Sequence, residues 1–106
     1  LIPNIVHFVW LTGPNSREFS FVNYLAVRAA HDIQVPERIL MHVNEEPVGN
    51  PNWERIRPYV EMVKVDPPTE HNGFELTHVQ YQSDVLRLQI LLKHGGIYLD
   101  TDMLLI

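Results

Sequence analysis

The residues best suited to chemistry lie in the last quarter of the chain, Gln82 to Asp102, QSDVLRLQILLKHGGIYLDTD. Asp100 and Asp102 stand at i and i+2 where an apolar strand beginning at Ile97 ends. Alternate residues of a strand project to the same side, so the two carboxylates would meet one ligand. Asp has low strand propensity, and an unpaired charge is poorly tolerated inside a sheet, so folding alone gives little reason for the pair. A divalent metal with a phosphate gives one. Mg²⁺ or Mn²⁺ takes only one or two protein carboxylates and fills its shell with phosphate oxygens and water. One Asp could bind the metal directly and the other through water or a sugar hydroxyl. The plain alternative is a loop carrying two solvated carboxylates.

One helix upstream, Ser83, Asp84 and Arg87 precede the double glycine Gly95-Gly96. Asp84 and Arg87 are three apart and share a helix face. Alone they read as a surface ion pair worth roughly 0.3–0.5 kcal/mol. In a binding site, Asp84 could accept from sugar hydroxyls and Arg87 could supply a planar fork of donors. Trp10 closes an apolar strand near the start, where an aromatic is ordinarily core, but its flat ring also suits stacking on a base. The six histidines show no metal-ligand spacing, and His7 reads as a satisfied strand residue. No nucleophile triad is visible, and the T-G-P-N of Thr12 to Asn15 lacks the G-K-[ST] of a phosphate loop.

The elements that must position these residues follow from periodicity and turn chemistry. Ile2 to Leu11 reads as a buried strand starting after Pro3. Ser16 is a candidate cap for a helix from about Arg17 to Ala30, with Phe19, Val22, Leu25/Ala26 and Ala29 inward. Arg38 to Asn44 is a second strand. Asn50-Pro51 would cap and open a short helix through Arg57. Tyr59 to Asp66 is a third strand, and Pro67 to Asn72 a loop. Thr77 and Gln80 fit a capping box for a helix to Lys93 or His94, with Val85, Leu88 and Leu92 inward. Gly95 ends that helix in the left-handed conformation, and Ile97 to Asp100 is the fourth strand.

The order β-α-β-α-β-α-β predicts an α/β fold, with a mainly parallel sheet and helices on both faces. Ligands of such sheets bind beyond the carboxyl ends of strands. Trp10 and Asp100 both fall at such ends, ninety residues apart.

Composition sets the outer bounds. With 106 residues the chain makes one small domain or part of one, and its start at Leu1 and stop at Ile106 read as a fragment. A net charge of −5 disfavours sequence-independent nucleic-acid binding, which needs clustered Lys and Arg. The absence of cysteine excludes disulfides, zinc-thiolate sites and a cysteine nucleophile. No apolar run approaches the roughly 20 residues of a membrane span, and no signal peptide opens the chain.

Two segments together, IPNIVHFVWLTG from Ile2 and QSDVLRLQILLKHGGIYLDTDMLLI from Gln82, resemble glycosyltransferases of the sugar-binding DXD class. That class includes initiating α-1,6-mannosyltransferases, α-1,4-galactosyltransferases and the glucosylating domains of clostridial toxins. Its members carry I-P-K-x-I-H-x-x-W and S-D-x-x-R…G-G-x-Y-x-D-x-D. The match covers about a third of the chain and departs visibly at Asn4, where Lys is common.

The resemblance implies a Rossmann-like GT-A donor-binding half, a nucleotide-sugar donor and Mn²⁺ or Mg²⁺. It implies that Trp10 stacks on the base, with the Val9 backbone at its edge. Ser83 would touch the ribose. Asp84 and Arg87 would hold the transferred sugar, with Tyr98 near it. Asp100 would contact ribose or sugar and water-bound metal, and Asp102 would bind the metal bridging the diphosphate. Transfer would retain the anomeric configuration. Trp10, Asp84, Arg87, Asp100 and Asp102 must then line one cleft; if Trp10 lies buried on the far side of the sheet from the acidic pair, the donor-site reading fails.

UDP-sugars and GDP-mannose are both possible donors, and glycans, lipids or proteins possible acceptors. The compartment would be cytoplasmic for a bacterial source and the Golgi lumen for a eukaryotic one. The 106 residues alone are expected to show little or no transfer. Two competing readings stand beside this one. A haloacid-dehalogenase-like phosphatase also uses D-x-D after an apolar strand, but that motif usually opens its domain and takes Thr or Val where Leu104 stands. A non-catalytic nucleotide-sugar-binding module would bind nucleotide without metal or not at all.

Overall fold

The computed structural model describes residues 3–12, 18–66, 70–71, 74–75 and 79–101. Strand β1, Ile5–Trp10, is built from β-branched and aromatic residues and is buried from Val6 onward, as a central strand covered on both faces must be. β2, Arg38–Val43, pairs with it in parallel from Ile5↔Arg38 to Trp10↔Val43. β3, Glu61–Lys64, lies parallel on the far side of β2. A short hairpin of β4, Glu70–His71, and β5, Phe74–Glu75, follows where only a loop was expected. The last strand, β6, is Ile97–Tyr98 and pairs in parallel with β1 through Val6↔Ile97 and His7↔Tyr98. The main sheet therefore runs β3-β2-β1-β6 and is parallel throughout. This is the Rossmann-like α/β architecture that the sequence order implies.

The period of two along β1 divides the core. Val6, Phe8 and Trp10 join one apolar cluster with Tyr24, Val27, Trp53 and Ile56, which come from helices α1, Phe21–Ala29, and α2, Pro51–Ile56. Val9 and Leu11 join the other with Leu86 and Ile90 of helix α3, Val79–His94. Thus α1 and α2 cover one face and α3 the other. Among the described residues no helix is long and apolar enough to cross a membrane.

Three local expectations change. Helix α1 starts at Phe21, not near Arg17, because Ser20 caps it: the Ser20 Oγ accepts from Asn23 N at 3.3 Å while Asn23 Oδ1 accepts from Ser20 N at 2.9 Å. Phe19 is then buried ahead of the helix, and the inward residues are Asn23, Tyr24, Ala26 and Val27, with Val22 exposed. Helix α3 buries Val85, Leu86 and Ile90, leaving Leu88 and Leu92 outside. Its helix has apolar residues on both sides, and only contact with β1 selects one. The Thr77–Gln80 cap and the proposed Ser16 cap lie outside the described residues. The Asn50 cap and the short α2 are as expected, with Asn50 Oδ1 accepting from Asn52 N and Trp53 N.

α1 runs on into a π-helical turn, Ala30–Gln34, which ends at Val35 in the left-handed region with φ 47. Asn4 Nδ2 donates to the Val35 carbonyl at 3.2 Å, so the departure at Asn4 has a local structural use. A β-branched residue is strained at this φ, and Val35 is exposed, so little burial compensates. Val35→Asn is expected to stabilise the fold by about 0.5–1 kcal/mol, read as a higher urea midpoint at unchanged slope.

Candidate functional site

In the strand order β3-β2-β1-β6 the connections from β1 go toward one edge and β6 lies on the other side of β1. Helices α1 and α2 cover one face and α3 the other, and ligands of such sheets bind beyond the carboxyl ends of the strands at this reversal, here β1 and β6. Trp10 ends β1, and Leu99 and Asp100 follow β6, so both fall at that edge. The ladder continues one residue past the strand, with Leu99 N donating to His7 O at 3.0 Å.

On the α3 side the expected sugar-binding residues come together. The Arg87 guanidinium lies over the Tyr98 ring, 5.3 Å from its centroid. Tyr98 packs on the Val9–Leu11–Leu86–Ile90 cluster. Burial, then the charge and hydrogen bonding of Asp100, push the Tyr98 phenol well above its ordinary pKa; Arg87 acts in the opposite direction and Asp84 adds to the rise. Four groups thus share one field: Asp84, Arg87, Tyr98 and Asp100. Asp84 and Asp100 are exposed, Ser83 and Arg87 half-buried. The described ion pairs do not include Asp84 with Arg87, so the simple surface-pair reading is not realised. Arg87 rests on the Tyr98 face instead.

Trp10 is placed differently. It is only 8% exposed and belongs to the α1–α2 layer, across the sheet from Tyr98, with Phe19 packed at 5.1 Å and a steep 77°. Among the described residues Trp10 therefore does not share one cleft with the α3-side group, the arrangement named above as unfavourable to its stacking role. Asp84, Arg87 and Asp100 group together, and Trp10 stands in the opposite layer at the same edge of the sheet. The Val9 side chain is buried under α3. Asp102 lies outside the described residues.

Trp10 does line a cavity of about 500 Å³, with Thr12, Glu18, Phe19 and the loop Glu45 to Pro51. This is the size of a small-molecule site. Its walls are fixed by polar contacts that sequence reading missed. Asn44 bonds the Thr12 backbone twice, its Oδ1 accepting from Thr12 N and its Nδ2 donating to Thr12 O, both at 2.8 Å. Glu46 Oε1 accepts from Trp53 Nε1 at 3.1 Å and from Arg57 Nε at 3.0 Å. An Asn directly after a buried strand was the one available signal for the first of these.

Two more buried polar residues matter: Asn23, which sequence reading missed, and His7, which is the satisfied strand residue it was read to be. Asn23, 5% exposed, donates from Nδ2 to the Thr101 carbonyl at 3.0 Å, inside the D-T-D segment. His7, fully buried, lies 3.0 Å from His42 Nε2 through Nδ1 and 2.9 Å from the Gly95 carbonyl through Nε2.

A parallel α/β sheet with carboxylates and an aromatic-backed Arg at its carboxyl edge is the kind of fold that carries a small-ligand site, and the chain belongs to the family described as glycosyltransferase sugar-binding region containing DXD motif, which it matches over residues 27–106. It is also 36% identical over 108 aligned residues to glucan organizing enzyme 1 of Cryptococcus neoformans var. grubii serotype A, an alignment covering 97% of this chain. The chain spans 29% of that relative's length. No solved structure matches it. The family match begins after β1, so Trp10 and His7 are aligned through the fungal relative's wider coverage and not through the family match.

Proposed function

We propose that this chain is the donor-binding part of a metal-dependent glycosyltransferase that moves a sugar from a nucleotide diphosphate to an acceptor hydroxyl with retention of configuration. The observation that carries the reading is the grouping of Asp84, Arg87, Tyr98 and Asp100 at the strand reversal of a chain in this family. Asp84 accepts from hydroxyls of the transferred sugar. Arg87, steadied by Tyr98, donates to it and holds positive charge near the phosphate end. Tyr98 keeps its proton and can donate. Ser83 faces the ribose. The base enters the cavity beside Trp10, whose buried ring serves as a wall in this conformation; stacking on its face requires the side chain to turn outward.

Asp100 suits a hard cation: it is an exposed carboxylate at a strand end. Asp100 and Asp102 would hold Mn²⁺ or Mg²⁺. Such an ion, when bound, supplies the charge that favours departure of a nucleoside diphosphate. Family membership argues against the phosphatase alternative, and the fungal relative's name points to a glycan as the acceptor class.

Isothermal titration of the full-length protein with UDP and GDP, with and without Mn²⁺, tests this. Asp102→Ala is expected to weaken Mn²⁺-supported binding by about a hundredfold, the upper end for a damaged metal site. Equal binding by wild type and variant would remove the metal assignment. The same titration ranks the bases. Glu18, Glu45 and Glu46 line the cavity, so an edge rich in N–H donors is favoured. Guanine presents two such donors side by side, whereas uracil sets one between two carbonyls; GDP is expected to bind more tightly than UDP.

A further inference from the structure

We propose that His7 and Asn23 are positioning residues that clamp the acidic strand segment at its two ends and so set the place of Asp100. The proposal rests on the donor-site reading above. Strand β6 needs such help, because only Ile97 and Tyr98 are paired in its ladder, extended by the single Leu99 N to His7 O bond.

At the start of the segment, a carbonyl can only accept, so His7 Nε2 carries the proton and donates to Gly95 O. His7 Nδ1 is then a lone pair, and His42 Nε2 must donate to it. The result is a directed chain of donation, His42 to His7 to the Gly95 carbonyl, with both rings neutral. Gly96, next in line, packs so closely on this arrangement that a Cβ there would lie 2.6 Å from Ile5 O and 3.1 Å from His7 Nε2.

At the other end, Asn23 holds the Thr101 carbonyl. The orientation of its amide is fixed, because Oδ1 is committed to Ser20 N and Ser20 Oγ, each at 2.9 Å. Both clamps come from the first quarter of the chain. They give a physical reason for the I-H-x-x-W block and the G-G-x-Y-x-D-x-D block to occur together.

The test measures the Mn²⁺ concentration giving half-maximal UDP or GDP binding to the full-length protein, alongside its thermal melt. His7→Phe keeps a planar aromatic ring, somewhat larger than imidazole, and removes both hydrogen bonds. It is expected to raise the half-saturating Mn²⁺ about tenfold, as loss of an outer-shell partner does. His7→Gln, whose amide can donate to Gly95 O, is expected to return within about threefold of wild type. Asn23→Leu loses both the helix cap and the Thr101 bond, while Ser20→Ala loses only the cap; only the former is expected to move the Mn²⁺ value. A merely structural role lowers melting temperature and leaves the Mn²⁺ value in place in the folded protein, and that result overturns the proposal. Should His7→Phe fail to fold, the Asn23→Leu and Ser20→Ala comparison decides it. Wild-type protein that binds neither nucleotide with Mn²⁺ overturns the donor-site reading, and the clamp's purpose with it.

Discussion

Gly96→Ala is expected to destabilise the fold by about 3 kcal/mol or more, and to abolish Mn²⁺-supported nucleotide binding at temperatures where wild type binds. Gly96 sits at φ 95, outside the range open to an L side chain. The larger difficulty is space. An added Cβ would meet the Ile5 carbonyl oxygen at 2.6 Å, and that oxygen belongs to β1, the central strand of the sheet. Neither it nor the His7 ring behind it can retreat without opening the core. Gly49→Ala makes the control: its φ is 87, but nothing lies within 4 Å of the new Cβ. Backbone strain alone should then destabilise by about 1 kcal/mol. Urea denaturation of the two variants separates strain from collision. Equal losses at the two positions would mean that β6 can shift away from β1, and the clamp argument would lose its base.

The second large effect is loss of stability in mild acid. His42 is 2% exposed, and burial, followed by the charges of His7 and His94, lowers its pKa to about 4. Burial, partly opposed by the Gly95 bond, also lowers His7, with His94 and Arg38 adding to the shift. Above pH 6.5 both rings are neutral in folded and unfolded chains, and the full stability is present. Below it the unfolded chain takes up protons that the folded chain refuses. Stability therefore falls with pH, from about 6.5 down to the folded value. For His42 alone the loss is about 2 kcal/mol between pH 6.5 and 5. His7 acts in the same direction.

The Glu61 and Asp32 carboxyls, lowered chiefly by hydrogen bonds from Arg38 and His31, titrate below that window. Urea midpoints at pH 7.5, 6 and 5 should show the fall. His42→Gln, which can still donate to His7, should flatten it. A midpoint constant over this range in wild type would show that the pair accepts a proton without harm.

The chemical character of the candidate site was legible in the sequence, although Asp102 lies outside the described residues. The D-x-D pair, Asp84 with Arg87, and the double glycine could be read because their residue types are hard to explain by folding and their spacings match known elements. Tyr98 and Arg87 do meet, and Gly95 does close α3 at φ 68. Trp10 shows where such reading stops. An aromatic at a strand end can face either layer, and the ring's direction depends on how far β1 is built into the core before it ends. Asn23, Asn44 and the partners of His7 were missed for a related reason. A histidine or asparagine in an apolar strand or first helical turn looks like any satisfied polar residue until its partner is known, and here the partners lie 88, 78 and 32 residues away.

The amino-acid sequence alone determined the alternation of strands and helices, the parallel α/β class and the chemical character of the acidic segment. Those properties live in local periodicity, in turn residues and in side-chain chemistry, which a chain carries with it. The tertiary structure alone decided which face of α3 is buried, on which side of β1 the Trp10 ring lies, and what anchors the strand bearing Asp100. Each of these depends on contacts between segments distant in sequence, where several arrangements satisfy the same local pattern and only close packing chooses among them.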